Sequence, residues 1–111
     1  MKKAIALLLA LVMVFALCAC GGGGDSASGE KVVKIGVFEP ASGDSGAGGK
    51  KEMLGMQYAN QETPTVEIGG ETYKVELVYS DNGSDSAKAV SAASKLVNEK
   101  VSIVLGSYGS G

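Results

Sequence analysis

The sequence predicts an α/β fold, a parallel sheet with helices on both faces. Three observations predict it. Strand and helix patterns alternate from Lys31 onward, the first strand is apolar on both sides, and a clear amphipathic helix separates two further apolar runs. Strand–helix–strand–helix–strand order gives parallel strands joined by right-handed crossovers.

The first strand begins at Lys31. Val33, Ile35 and Val37 alternate with Lys34 and Gly36, while Val32 and Phe38 fill the other face. Such a run suits a central strand covered on both sides. Pro40 ends it, and Ala41 to Gly49 reads as a Gly/Ser-rich loop. Helical spacing of Met53, Leu54, Gln57, Tyr58 and Gln61 predicts a helix from Lys50 to about Gln61, closed by Thr63-Pro64. Val66-Glu67-Ile68 meets Thr72 to Tyr79 across Gly69-Gly70, a two-residue hairpin turn. The longer arm becomes the second main strand, with Tyr73, Val75, Leu77 and Tyr79 on one face.

Asp81 to Asp85 forms a polar turn that supplies N-cap candidates in Ser84 and Asp85. Ser86 to Lys100 then carries Ala89, Val90, Ala93, Leu96 and Val97 as one apolar stripe. Val101 to Leu105 is a third apolar strand, followed by the loop Gly106-Ser107-Tyr108-Gly109-Ser110-Gly111. Three main strands and two helices do not complete a domain of this class, so the sequence is expected to be a fragment.

Ahead of this region, Lys2 and Lys3 precede an apolar run from Ala4 to Leu17. The run is shorter than the ~20 residues that cross a bilayer, and it has the form of an export signal. Leu17-Cys18-Ala19-Cys20 resembles the bacterial lipobox, with Cys20 as the lipidated residue. Residues 1–19 are therefore expected to be a lipoprotein signal peptide. Residues 20–30, beginning Cys20-Gly21-Gly22-Gly23-Gly24, form a Gly/Ser-rich tether by composition. The implied location is the cell membrane, lipid-anchored on the extracytoplasmic side.

Composition narrows function further. Without Lys2 and Lys3 the chain holds 8 basic residues against 12 acidic ones, a net charge of −4, and every basic residue is lysine. There is no arginine and no basic stripe, which disfavours nucleic-acid binding. The chain has no histidine, and after Cys20 no cysteine, so Cys/His metal centres and His-based catalysis are excluded. No metal, cofactor or catalytic residue is expected.

Known loop motifs fail on spacing. Gly43 to Lys51 does not match a phosphate loop, because Gly48 is followed by Gly49 where that motif needs lysine. The dinucleotide pattern fails at Lys51, and Asp81 to Ser86 does not match a calcium-binding EF-hand loop. What survives is position. Loops at the carboxyl ends of parallel strands are where open α/β sheets bind ligands.

Val33-Lys34-Ile35-Gly36-Val37 followed by Glu39-Pro40-Ala41-Ser42-Gly43 resembles the opening of the leucine/isoleucine/valine-binding solute receptors of ABC importers. Leu77 to Asn82 with Asp85 and Ala87 to Val97, then Val101 to Gly111, is similar to the next strand, turn, helix, strand and ligand loop of that family. The resemblance implies that residues 31–111 are an incomplete N-terminal lobe of a two-lobed type I periplasmic binding protein, with a Rossmann-like sheet. It implies a non-enzymatic receptor that captures a small polar solute, an amino acid or analogue, for ABC permease subunits. By the same resemblance Ser42 and Gly43 belong to the first ligand loop. Ser107, Tyr108 and Ser110 belong to the second, with the Ser110 hydroxyl meeting the ligand carboxylate. The chain has Gly48 where receptors of this family often present a tyrosine, so an aromatic wall is expected to be missing there. Two alternatives are a sensor domain of the same fold and a nucleotide-binding enzyme, the latter suggested only by Gly106-x-x-Gly109-x-Gly111.

Overall fold

The computed structural model describes residues 29–110. The expected signal peptide, Cys20, the tether up to residue 28, and Gly111 lie outside the described residues. The elements are β1 (Val32–Glu39), α1 (Gly46–Glu62), β2 (Thr65–Ile68), β3 (Glu71–Asp81), α2 (Ser86–Asn98) and β4 (Ile103–Leu105).

They form one four-stranded sheet in the order β2-β3-β1-β4. β1 is central and parallel to both neighbours, aligning Ile35 with Leu77 and with Ile103. Both parallel connections contain a helix, as the alternating sequence predicts. β2 is an antiparallel addition at one edge, pairing Val66 with Tyr73 and Ile68 with Glu71. The turn between them is the expected one. Gly69 and Gly70 have φ of 60° and 80°, the left-handed conformation at both central positions that type I′ hairpins need.

The helices cover opposite faces of the sheet. Ile35, Val75, Leu77 and Leu105 line a groove with Met56 and Ala59 of α1. On the other side, the neighbouring register positions Gly36 and Val104 approach Leu96 of α2. The Ser80 hydroxyl also donates to the Ala92 carbonyl of α2 at 3.0 Å. Among the described residues, Val37, Ala92 and Leu96 form the buried apolar core, with Pro40 buried at the end of β1.

The structure corrects three expectations. α1 starts at Gly46, four residues before Lys50, within the stretch expected to be a loop. Glycine disfavours a helix locally, but tertiary packing decides here. A Cβ on Gly49 would overlap the Pro40 carbonyl oxygen and stand 2.8 Å from the proline ring, so glycine lets the first turn sit on the end of β1. The second correction concerns the face of α2. Leu96 is buried as expected, but Val90 and Val97 are 69% and 74% exposed, and Ala93 is exposed too. Ala92 takes the inner position, because α2 lies close enough to β3 for its backbone to accept from Ser80. The third main strand is also shorter than Val101 to Leu105, since Lys100 takes a left-handed φ of 56° and Val101 and Ser102 complete the turn.

Candidate functional site

The carboxyl ends of β1, β3 and β4 converge on one edge of the sheet, and three loops meet there. The first follows β1 from Pro40 to Ser45, the second follows β3 from Asn82 to Asp85, and the third follows β4 from Gly106.

Asp81 ties the first two together. One carboxylate oxygen, Oδ1, accepts from Ala41 N at 2.7 Å, Ser42 N at 3.3 Å and Gly83 N at 2.8 Å. The other, Oδ2, accepts from the Ser42 hydroxyl at 2.6 Å. The Ser42 hydroxyl, followed by the backbone N–H groups, holds the Asp81 carboxyl down to about 2, against the opposing effect of desolvation. Ser84 adds a second tie, its hydroxyl accepting from Ser45 N at 2.9 Å and donating to the Ser42 carbonyl at 3.2 Å. Asp85 caps α2, accepting from Lys88 N at 2.8 Å.

The third loop is held from below by two buried polar residues. Glu39, at the last position of β1 and 1% exposed, accepts from Tyr108 N at 2.8 Å through Oε2. Its other oxygen, Oε1, has no hydrogen-bond partner. Desolvation, with the Glu52 carboxyl nearby, pushes the Glu39 carboxyl up, and the Tyr108 N–H opposes the rise. Asn82, also buried, donates from Nδ2 to the Ser107 hydroxyl at 2.8 Å, while its Oδ1 accepts from Ser84 N at 3.1 Å. Asn82 thus links the second loop to the third.

Between the loops lies a cleft of about 290 Å³, near the low end of ligand-pocket sizes. Asp44, Ser45, Asn82 and Ser107 supply polar groups, and Phe38, Ala89 and Tyr108 supply apolar surface. Among the residues singled out from sequence, Ser107 and Tyr108 line this cleft. Ser42 and Gly43 stand one layer behind it. The Ser42 hydroxyl is engaged by Asp81, and Gly43, with φ of 77°, packs on the Gly83 carbonyl. Ser110 is exposed at the end of the described residues and is not part of the cleft wall.

Glu39 and Asn82 were not singled out from sequence. The only local signal for Glu39 is a carboxylate closing an otherwise apolar strand before Pro40, while Asn82 sits in a polar turn whose neighbours look alike. The aromatic surface expected to be missing at position 48 is supplied from the third loop, where the Tyr108 ring lies against Gly48.

The comparisons agree with this architecture. A family model described as periplasmic binding protein matches residues 32–111. A leucine-binding protein from Thermotoga maritima is 39% identical with a TM-score of 0.60; the match covers 68% of this chain and 21% of that one. A branched-chain amino acid transporter substrate-binding protein from Streptococcus pneumoniae, solved in complex with isoleucine, is 35% identical with a TM-score of 0.57; the match covers 68% of this chain and 22% of the other. The chain thus spans about a fifth of the length of these structures. No curated protein matches. With a family match that starts at the first residue of β1 and runs through every element to the third loop, the chain belongs to the periplasmic binding protein family.

Proposed function

We propose that this chain forms part of the N-terminal lobe of an extracytoplasmic solute-binding lipoprotein of an ABC importer, and that its solute is an amino acid or close analogue. The polar cleft at the carboxyl edge of β1, β3 and β4 carries the proposal. It lies where parallel sheets bind ligands, in a region similar to two proteins named for leucine and for branched-chain amino acids.

The cleft suits a zwitterion. The hydroxyls of Ser45 and Ser107 favour a carboxylate, and hydrogen bonds to an ionised group are the stronger kind. Asp44 and Asp85 in the same wall favour an ammonium group. Ser42 and Gly43 contribute by shaping the first loop, and Ser110 contributes a hydroxyl to the rim. A second lobe closing over the cleft by a hinge would exclude water and strengthen each contact. The receptor carries out no chemistry. It releases its solute to permease subunits, and a lipid on Cys20 with the Gly/Ser tether keeps it at the membrane surface.

Titration calorimetry of the full-length protein against a panel of amino acids, amides and urea tests the solute class. Saturable heat with amino acids is expected, and none across the panel refutes it. Mass spectrometry of the membrane-extracted protein tests the anchor. A diacylglycerol-modified N-terminal Cys20 is expected, and an unmodified or uncleaved N-terminus refutes that part.

A further inference from the structure

Gly48 is the third residue of α1, and its backbone is ordinary right-handed helix. Glycine there costs about 1 kcal/mol relative to alanine, and no left-handed φ requires it. The requirement comes from the third loop. A Cβ on Gly48 would overlap Cε1 and Cζ of the Tyr108 ring and stand 2.7 Å from Cδ1. These three ring atoms are the nearest that such a Cβ would meet, so the conflict falls first on that ring. Tyr108 has little freedom to withdraw its backbone, because its N–H is fixed to the buried Glu39 carboxyl at 2.8 Å. Tyr108 is 47% exposed and, with Phe38, lines the cleft.

We infer that Gly48 is a positioning residue for ligand selectivity. Its bare face seats the Tyr108 ring on the first turn of α1, and the seated ring forms the wall that receives an aliphatic ligand side chain. The inference rests on the amino-acid reading above and extends it. An aromatic face offers apolar contact of fixed shape, and its position decides how large a side chain the cleft accepts. Adding a methyl group at position 48 pushes the ring into the cleft or out of it. Either displacement penalises a large aliphatic ligand more than a small one.

Calorimetry on the full-length protein with L-leucine, L-isoleucine, L-alanine and glycine tests this, using the wild type, G48A, Y108A and the G48A/Y108A double variant. Thermal melting of each variant accompanies it. G48A is expected to weaken leucine and isoleucine about tenfold, the scale on which a methylene is discriminated in an apolar pocket, and to leave alanine within about twofold. Y108A should cost a similar factor, and the double variant should bind no worse than Y108A. Any loss of melting temperature in G48A should be recovered in the double variant, where the ring is gone. Unchanged leucine selectivity in G48A overturns the inference. So does an additive loss in the double variant, or a melting loss that Y108A does not recover, since either result makes Gly48 a backbone requirement. In all those cases the wild type still binds amino acids. A flat wild-type titration instead refutes the amino-acid reading, and this role with it.

Discussion

Asp81 offers the sharpest test of how the cleft is held open. Its carboxylate receives hydrogen bonds from Ala41 N, Ser42 N, the Ser42 hydroxyl and Gly83 N, so one side chain fixes two of the three loops. Asp81→Ala removes all of these. Hydrogen bonds contribute roughly 0.5–1.5 kcal/mol each, and more to a charged group in a dry site. Asp81 is exposed, and water compensates part of the loss; we expect destabilisation of about 3 kcal/mol. Asp81→Asn keeps Oδ1 for the three backbone donors and leaves the Ser42 hydroxyl able to turn and accept. It loses only the charge, a cost of about 1 kcal/mol. Urea titration of the full-length variants measures both. The pH dependence fixes the mechanism. A carboxyl held down to about 2 in the fold, below its ordinary value, stabilises fully above that ordinary value, and the contribution fades as pH falls through about 2. The wild type's advantage over Asp81→Asn should therefore be constant from neutral pH to about 4 and shrink below it. Equal losses for alanine and asparagine, or an advantage that persists undiminished at pH 2, would refute the reasoning.

Two further predictions concern buried groups. Glu39→Gln keeps an acceptor for Tyr108 N, removes a desolvated charge, and places an amide donor where Oε1 has no partner. Because the folded-state value is raised, wild-type Glu39 destabilises most at neutral pH and least when protonated. The glutamine variant should therefore be more stable by about 1 kcal/mol at pH 7, with the gain vanishing in acid; a less stable variant at pH 7 contradicts this. Leu96→Ala, at a side chain only 1% exposed between α2 and the sheet, should cost about 2–4 kcal/mol in the same urea assay. A cost below about 1 kcal/mol would mean that α2 is not anchored there.

What the sequence revealed, and what it hid, follows the range of each interaction. β1 was legible because its apolar run names a strand covered on both faces, and Gly69-Gly70 because a type I′ turn is a two-residue requirement. The Asp85 cap was legible for the same local reason. The inner face of α2 was not. Hydropathy selects Val90 and Val97, whereas the close approach of Ser80 to the helix backbone selects the small Ala92. The first turn of α1 was hidden by low helix propensity that contact with Pro40 overrides. In the cleft, position at the sheet edge was legible but partnership was not. Glu39 meets Tyr108 across 69 residues, and Asn82 meets Ser107 across 25, with no periodicity to announce either.

The antiparallel β2 gives the sheet two unlike borders. On one side the sheet ends in a four-residue strand that carries Glu67, opposite Thr72, and this short border with its charge discourages further pairing. On the other, Ile103, Val104 and Leu105 are 55%, 51% and 37% exposed, and among the described residues β4 pairs only with β1. Among the described residues, the β4 edge is therefore the border open to pairing with another strand, and self-association of these 111 residues is expected along that apolar border first.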